Sequence, residues 1–342
     1  MLHESAEARA LVAYSAVIGG DPLVIQGPGG NTSLKQDGVI WIKASGTRLA
    51  DADKHDIFLP VTLAPLRAAI AADDPACETS AGFVPQDLNP LGLRPSIETT
   101  MHAVMPQKVV VHVHCVDTIA WAVQRDAEVR LATLLAGLDW VFVPYARPGL
   151  SLTRDILARL QPSTSVLVLG NHGLVVAADT VAAAEALLNE VRRRLRRPAR
   201  SVPEADAERL SQLARASGYR PAADPAVHSL ATDPVSLAIA QGRSLYPDHV
   251  IFLGPGVVVL GRDTALANAP PAVPLLLLPA IGALLHHTAS ASAAALARCL
   301  ADVTARLEAD EVLHRLGEAD ERALLDWDAE KYRQALALRG QS

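Results

Sequence analysis

The 342-residue chain has only three cysteines, Cys77, Cys115 and Cys299, too widely spaced for a disulfide framework or a cysteine zinc site. It lacks an excess of either charge: the formal net charge is -6 and the pI is near 6.0, so there is no electrostatic footprint for nucleic acid. The one basic cluster, Arg192 to Arg197, closes an expected helix, where positive charge complements the helix dipole. The start, Met1-Leu2-His3-Glu4-Ser5, has neither the basic opening nor the apolar core of a secretory signal. The longest apolar stretch, Ala272 to Leu285, is interrupted by Pro274, Pro279 and Gly282 and is too short to span a bilayer. These absences lead us to expect a soluble, cytoplasmic protein with neither nucleic acid nor membrane as a partner.

Half of the residues are hydrophobic and 20% are charged, enough to build one large or two ordinary globular domains. Helical and strand-like stretches alternate, which predicts an α/β fold. Ser5 to Ile18 reads as a helix, Gly27 to Ser33 as a turn or anion-binding nest, and Val39 to Lys43 as a strand. Glu98 to Met105 reads as a short helix opened by Pro95-Ser96, where Ser96 suits a cap and the amides after it suit an anion. Asp117 is expected to cap a helix through Gln124, and Thr153 to Leu160 to form another. Ser165 to Leu169 reads as a strand, and Asp179 as the cap of the long Ala-rich helix that ends at the arginines.

The strand-like run Val109 to His114 ends in His112-Val113-His114. Side chains at i and i+2 of a strand leave the same face, so both imidazoles can bind one cation. A third histidine, His172, sits in Gly170-Asn171-His172-Gly173 between two apolar strands, where Asn and Gly tolerate the positive φ of a tight hairpin. Three protein ligands with an open fourth position are the pattern of catalytic zinc. The bland alternative is a pair of core histidines and a plain hairpin turn. Cys115 points to the opposite face from His114 and reads as a core residue.

The order of Gln26-Gly27-Pro28-Gly29-Gly30-Asn31-Thr32-Ser33, Pro95-Ser96-Ile97-Glu98-Thr99-Thr100-Met101-His102, the paired histidines and His172 resembles the class II aldolase and adducin family over residues 8 to 197. The phrase around Glu98 is most similar to the aldolase part of rhamnulose-phosphate aldolase fused to a short-chain dehydrogenase, without that dehydrogenase. The resemblance implies α/β/α layers around a central, mostly antiparallel sheet. It implies a divalent metal on His112, His114 and His172, Zn2+ foremost with Mn2+, Co2+ or Fe2+ as alternatives. It places the acidic catalytic residue at Glu98 and phosphate-binding loops at Gly29, Gly30 and Asn31, at Ser45 and Gly46, and at Ser96. It also implies a homo-oligomer acting on a small sugar or sugar phosphate.

Two departures bear on the substrate. Simple fuculose-phosphate aldolases carry two serines where this chain has Ser96-Ile97, so the substrate binds its phosphate by other contacts or carries none. The family's catalytic tyrosine has no clear match, although Tyr145 in Val143-Pro144-Tyr145-Ala146 fits a recurring phrase. The implied reaction is retro-aldol cleavage of a 2-keto sugar through a metal-stabilised enediolate, with Glu98 moving the carbon-bound proton and its pKa raised by partial burial. A 4-epimerase, a dehydratase or a decarboxylase would use the same centre, and an adducin-like scaffold would keep the fold without catalysis. His102, one helical turn after Glu98, is expected to orient the helix rather than react.

Residues 198 to 206 read as a linker, dividing a metal-binding domain (1–200) from a C-terminal α/β domain (201–342). At an offset of 109, Leu275 to Leu285 follows the pattern of Val166 to Val176, and an Ala-rich helix follows both; His172 then corresponds to Ile281. The second domain is therefore expected to be a degenerate copy of the first without its metal turn. Val250 to Leu260, with Gly254-Pro255-Gly256, reads as a further hairpin, and His286 and His287 as surface or interface residues.

Overall fold

The computed structural model describes residues 5–215, 217–261 and 273–339; Met1 to Glu4, and Ala272 at the head of the apolar stretch, lie outside them. The chain separates into two compact units. One runs to Thr118 and resumes over Ala127–Arg196, and the other takes Ile119–Asp126 and the chain from Arg197 onward.

The first unit is built on a sheet of seven strands among the described residues: β1 (Asn31–Gln36), β2 (Val39–Lys43), β3 (Phe58–Thr62), β4 (Val109–Val113), β5 (Trp140–Val143), β6 (Val166–Leu169) and β7 (Gly173–Ala178). Their order is β3-β2-β1-β4-β7-β6-β5, antiparallel throughout except for the β5–β6 pair. The helices are α1 (Ala6–Gly19), α2 (Leu63–Ala71), α3 (Thr99–Val104), α4 (Val116–Ala122), whose residues from Ile119 on group with the second unit, α5 (Ala127–Leu134), α6 (Leu150–Leu157) and α7 (Val181–Leu195).

All five residues of β4 are buried, as a central strand covered on both faces requires. One face, through Val110, Val143, Leu167, Leu169, Val175 and Ala177, packs on Met101 and Met105 of the α3 region and on Leu152 and Ile156 of α6. Farther along that face Ile40, Ile42, Leu59 and Val61 meet Leu66 and Ile70 of α2. Helices α1 and α7 pack on β1, β4 and β7. The layers are α/β/α, as expected.

Several local expectations shift. The Gly-rich turn ends at Gly30, because Asn31 already pairs with His112 in the β1–β4 ladder. Helix α6 begins at Leu150, not Thr153: Gly149, at φ 95, breaks the chain there, and the Thr153 hydroxyl donates back to the Gly149 carbonyl within the first turn. Thr180, not Asp179, caps α7 by accepting from the Ala183 amide, while Asp179 accepts from the Lys108 amide. Asp117 lies inside the first turn of α4 rather than at its cap.

The second unit holds a sheet of β8 (Tyr219–Pro221), β9 (Val258–Val259), β10 (Leu275–Leu278) and β11 (Gly282–His286) in the order β8-β11-β10-β9. Its helices are α8 (Ala207–Ala214), α9 (Ser229–Thr232), α10 (Pro234–Ala240), α11 (Pro247–Leu253), α12 (Ala291–Thr304), α13 (Glu318–Leu325) and α14 (Asp328–Arg339). Leu276, Leu278, Leu284 and Leu210 form a core against β10 and β11. The expected hairpin over Val250 to Leu260 is instead the helix α11 followed by β9. Pro247 sits in the helix's first turn and all seven of its residues are buried, so the apolar run has no periodicity to separate helix from strand. The linker is pinned by Arg200, whose guanidinium binds Asp233, Ser236 and the carbonyls of Thr304 and Leu307. His286 and His287 are engaged locally, His286 with Thr288 and His287 with the Gly218 carbonyl.

Candidate metal centre

His112 lies in β4 and His114 just beyond it, and β7 is the next strand. Because His112 pairs with Val175 and Val113 with Leu174, the β6–β7 turn carrying His172 stands beside the end of β4. The turn is the predicted tight hairpin, with Asn171 at φ 54 and the His172 amide donating to the Leu169 carbonyl at 3.1 Å. Close approach excludes side chains nearby. A Cβ on Gly173 would lie 2.4 Å from the Val113 carbonyl oxygen, and one on Gly30 would lie 2.8 Å from that of His112.

The three imidazoles are buried, with ring centroids 4.9–5.2 Å apart. One ligand atom from each can be chosen so that all lie within 4.8 Å of one another, so the group could hold a metal ion. His112 Nδ1 lies 3.1 Å from the Leu174 carbonyl, which fixes the ring and turns Nε2 inward, the usual outer support of a ligating histidine. The donor set of three imidazoles and one carboxylate fits a borderline divalent cation.

That carboxylate is Glu98, at the N-cap of α3. Its Oε2 lies 3.4 Å from His112 Nε2 and its Oε1 lies 3.3 Å from His172 Nε2. Asn31 donates to Oε2 at 2.8 Å and to Ser96 Oγ at 3.2 Å, and Ser96 Oγ also accepts from the Glu98 amide. The expected upward pKa is reversed. Burial does push the Glu98 carboxyl up, but His112, His172, His114 and the Asn31 bond outweigh it and hold the group at about 2. Glu98 is thereby held as a carboxylate, the acceptor of the Asn31 amide.

The candidate anion loops meet here in part. Asn31 and Ser96 are both joined to Glu98, whereas the Gly29 amide donates to Gln26 and the Ser45 amide to Arg94 within the fold. Gly46 has φ 78 in the turn after Ser45. Sequence reasoning missed Lys43, only 2% exposed, whose ammonium donates to the carbonyls of Pro28 and Thr47 and so ties the two Gly-containing loops together. A lysine ending an apolar strand was the available signal. The backbone of Tyr145 lies against the histidine turn, 3.0 Å from where a Gly170 Cβ would stand.

Fold and site together define a layered α/β protein with a buried histidine and carboxylate centre. Residues 9–197, more than half of the chain, match the class II aldolase and adducin N-terminal domain, and the chain belongs to that family. The class II aldolases of the family use a divalent metal, and the three-histidine group could bind one. A protein of Bacillus subtilis (strain 168) described as uncharacterized oxidoreductase YuxG is 33% identical over 182 residues. The match takes in 50% of this chain but only 26% of that protein, so the chain spans about a quarter of its relative's length. Among solved structures, the N-terminal class II aldolase domain of a conserved Thermoplasma acidophilum protein is 26% identical, with a TM-score of 0.49, over 57% of this chain and 94% of that one. The L-fuculose-1-phosphate aldolase of Thermus thermophilus is 17% identical, with a TM-score of 0.37, over 54% of this chain and 92% of that one.

Proposed function

We propose that the chain is a divalent-metal-dependent carbon–carbon lyase that cleaves a 2-keto sugar, in phosphorylated form, by a retro-aldol reaction. The observation that carries this reading is the meeting of three buried imidazoles with a carboxylate whose Asn31 contact fixes its aim. His112, His114 and His172 would hold the ion, Zn2+ or another borderline dication. When bound, it supplies Lewis-acid polarisation of the ketose oxygens. Glu98 carries the proton to and from carbon, a role its place 3.3–3.4 Å from the His172 and His112 imidazoles suits. Asn31 and Ser96 hold the carboxylate in one orientation, and burial of the centre excludes bulk water. We assign the substrate's anionic end to the region of the Gly29 to Asn31 and Ser45–Gly46 loops and Ser96, through groups other than the Gly29 and Ser45 amides, which are bonded within the fold.

No helix among the described residues is long and apolar enough to cross a membrane. We place the protein in the cytoplasm as a homo-oligomer. The test is a panel of ketose phosphates with the purified, metal-loaded protein, scored for dihydroxyacetone phosphate or glycolaldehyde phosphate. Release of either, abolished by a chelator and restored by metal, is expected; no product from any ketose would refute the reading.

We also propose that the second unit is a degenerate copy of the β4-to-α7 half of the first, without a metal site of its own. Its strand order β8-β11-β10-β9 repeats β4-β7-β6-β5 pair for pair, with the same parallel and antiparallel sense.

A further inference from the structure

Glu98 opens a helix of six residues, too short to hold its own place, since isolated helices below about 12–15 residues are marginal in water. Its register along the sheet must come from elsewhere. Strand β1 supplies it. Asn31, Ser33 and Lys35 alternate onto one face of β1, and each bonds a successive point of the α3 segment. Asn31 holds the Glu98 carboxylate at 2.8 Å, Ser33 Oγ meets His102 Nδ1 at 2.8 Å, and Lys35 donates to the Gln107 carbonyl at 2.6 Å.

The spacings match. Two residues of strand advance about 6.6 Å, and four residues of helix from Glu98 to His102 advance about 6 Å. The far end is clamped from α2: Arg67 Nε donates to the Ala103 carbonyl at 2.7 Å and its Nη2 to that of Met105 at 3.3 Å. Ser33 and His102 are fully buried at the middle rung, where the loss of either leaves a polar partner stranded away from water. A slip of one rung would carry the carboxylate about 6 Å from the histidines.

We propose that His102, through Ser33, is a positioning residue that sets the register of α3 on β1 and thereby the aim of Glu98 at the three imidazoles. The inference rests on the reading of Glu98 and the histidines as the reactive centre. Its chemistry is purely geometric, and His102 takes no part in proton transfer.

The test compares wild type, Glu98→Gln, His102→Leu and His102→Asn, each full-length and loaded with cobalt(II), by visible absorption and by kcat and KM for ketose-phosphate cleavage. Glu98→Gln shifts the cobalt bands. His102→Leu reproduces most of that shift and lowers kcat by about tenfold to a hundredfold, with KM and cobalt stoichiometry unchanged. His102→Asn, whose amide stands where Nδ1 does and can still bond Ser33, stays with wild type in both readouts. The proposal is overturned if His102→Leu keeps the wild-type spectrum, if His102→Asn moves as far as His102→Leu, or if Glu98→Gln leaves the bands unmoved. Absence of cleavage by the wild type refutes the aldolase reading alone, and the spectra then decide the positioning.

Discussion

The hairpin of β6 and β7 and the hairpin of β10 and β11 pair in one register. Val166 faces Val176 through to Leu169 facing Gly173 in the first, and Leu275 faces Leu285 through to Leu278 facing Gly282 in the second. Each turn places a non-glycine residue at positive φ, Asn171 at 54 and Ala280 at 61. The next amide then bonds back, His172 to Leu169 at 3.1 Å and Ile281 to Leu278 at 2.9 Å. The likeness extends to the adjoining strand. Val175 faces His112, and 109 residues on Leu284 faces Pro221, so proline and then Ala223 stand where His112 and His114 do. The turn is thus a scaffold indifferent to chemistry, and three side chains make the difference between a centre and a core.

The sharpest break comes from removing a proposed ligand. Loss of an outer partner of a ligand costs about 10–100-fold in metal affinity, so His114→Ala is expected to exceed the upper end of that range while retaining the wild-type circular dichroism. Next, Glu98→Gln should keep the metal yet lower kcat by about a hundredfold or more, the scale of general acid–base catalysis. In the other hairpin, Leu276→Ala should cost about 2–5 kcal/mol by cavity formation and leave metal affinity unchanged, as measured by chemical denaturation and metal titration. That pair of results separates stability from chemistry.

Smaller effects refine the comparison. Ala pays about 1 kcal/mol or more at positive φ while Asn tolerates it, so Ala280→Gly should raise the denaturation midpoint more than Asn171→Gly does. Lys35 offers a pH handle: burial, with Arg67 adding to it and Asp179 opposing, lowers its pKa from 10.5 to about 7. Between those values the folded chain binds fewer protons than the unfolded one. Stability from this group therefore rises with pH through the window and is lost as pH falls through about 7. Lys35→Met should flatten that part of the profile of Tm against pH.

The strands Val39–Lys43 and Val166–Leu169 were legible because short β-branched and leucine-rich runs between turn residues have few other readings. Helix starts were less so. At Asp179 and Thr153 the boundary depends on the backbone angles of one residue, Thr180 or Gly149, which periodicity does not carry. The segment Ile119–Asp126 groups with the second unit through long-range packing that no local pattern announces. At the candidate centre, period-two spacing exposed His112 and His114, and the Asn-His-Gly turn exposed His172. The Asn31–Ser96–Glu98 network joins segments more than sixty residues apart and had no local signal, and the lysine that ends the apolar strand β2 did not show which loops Lys43 ties together. The pKa of Glu98 was expected to move the wrong way because burial was weighed without the imidazoles facing it.

The most direct test is the metal content of the purified protein by atomic emission, beside that of His114→Ala. One divalent ion per chain is expected in the wild type and none in the variant. Two ions per chain, or an ion retained by folded His114→Ala, would contradict that expectation.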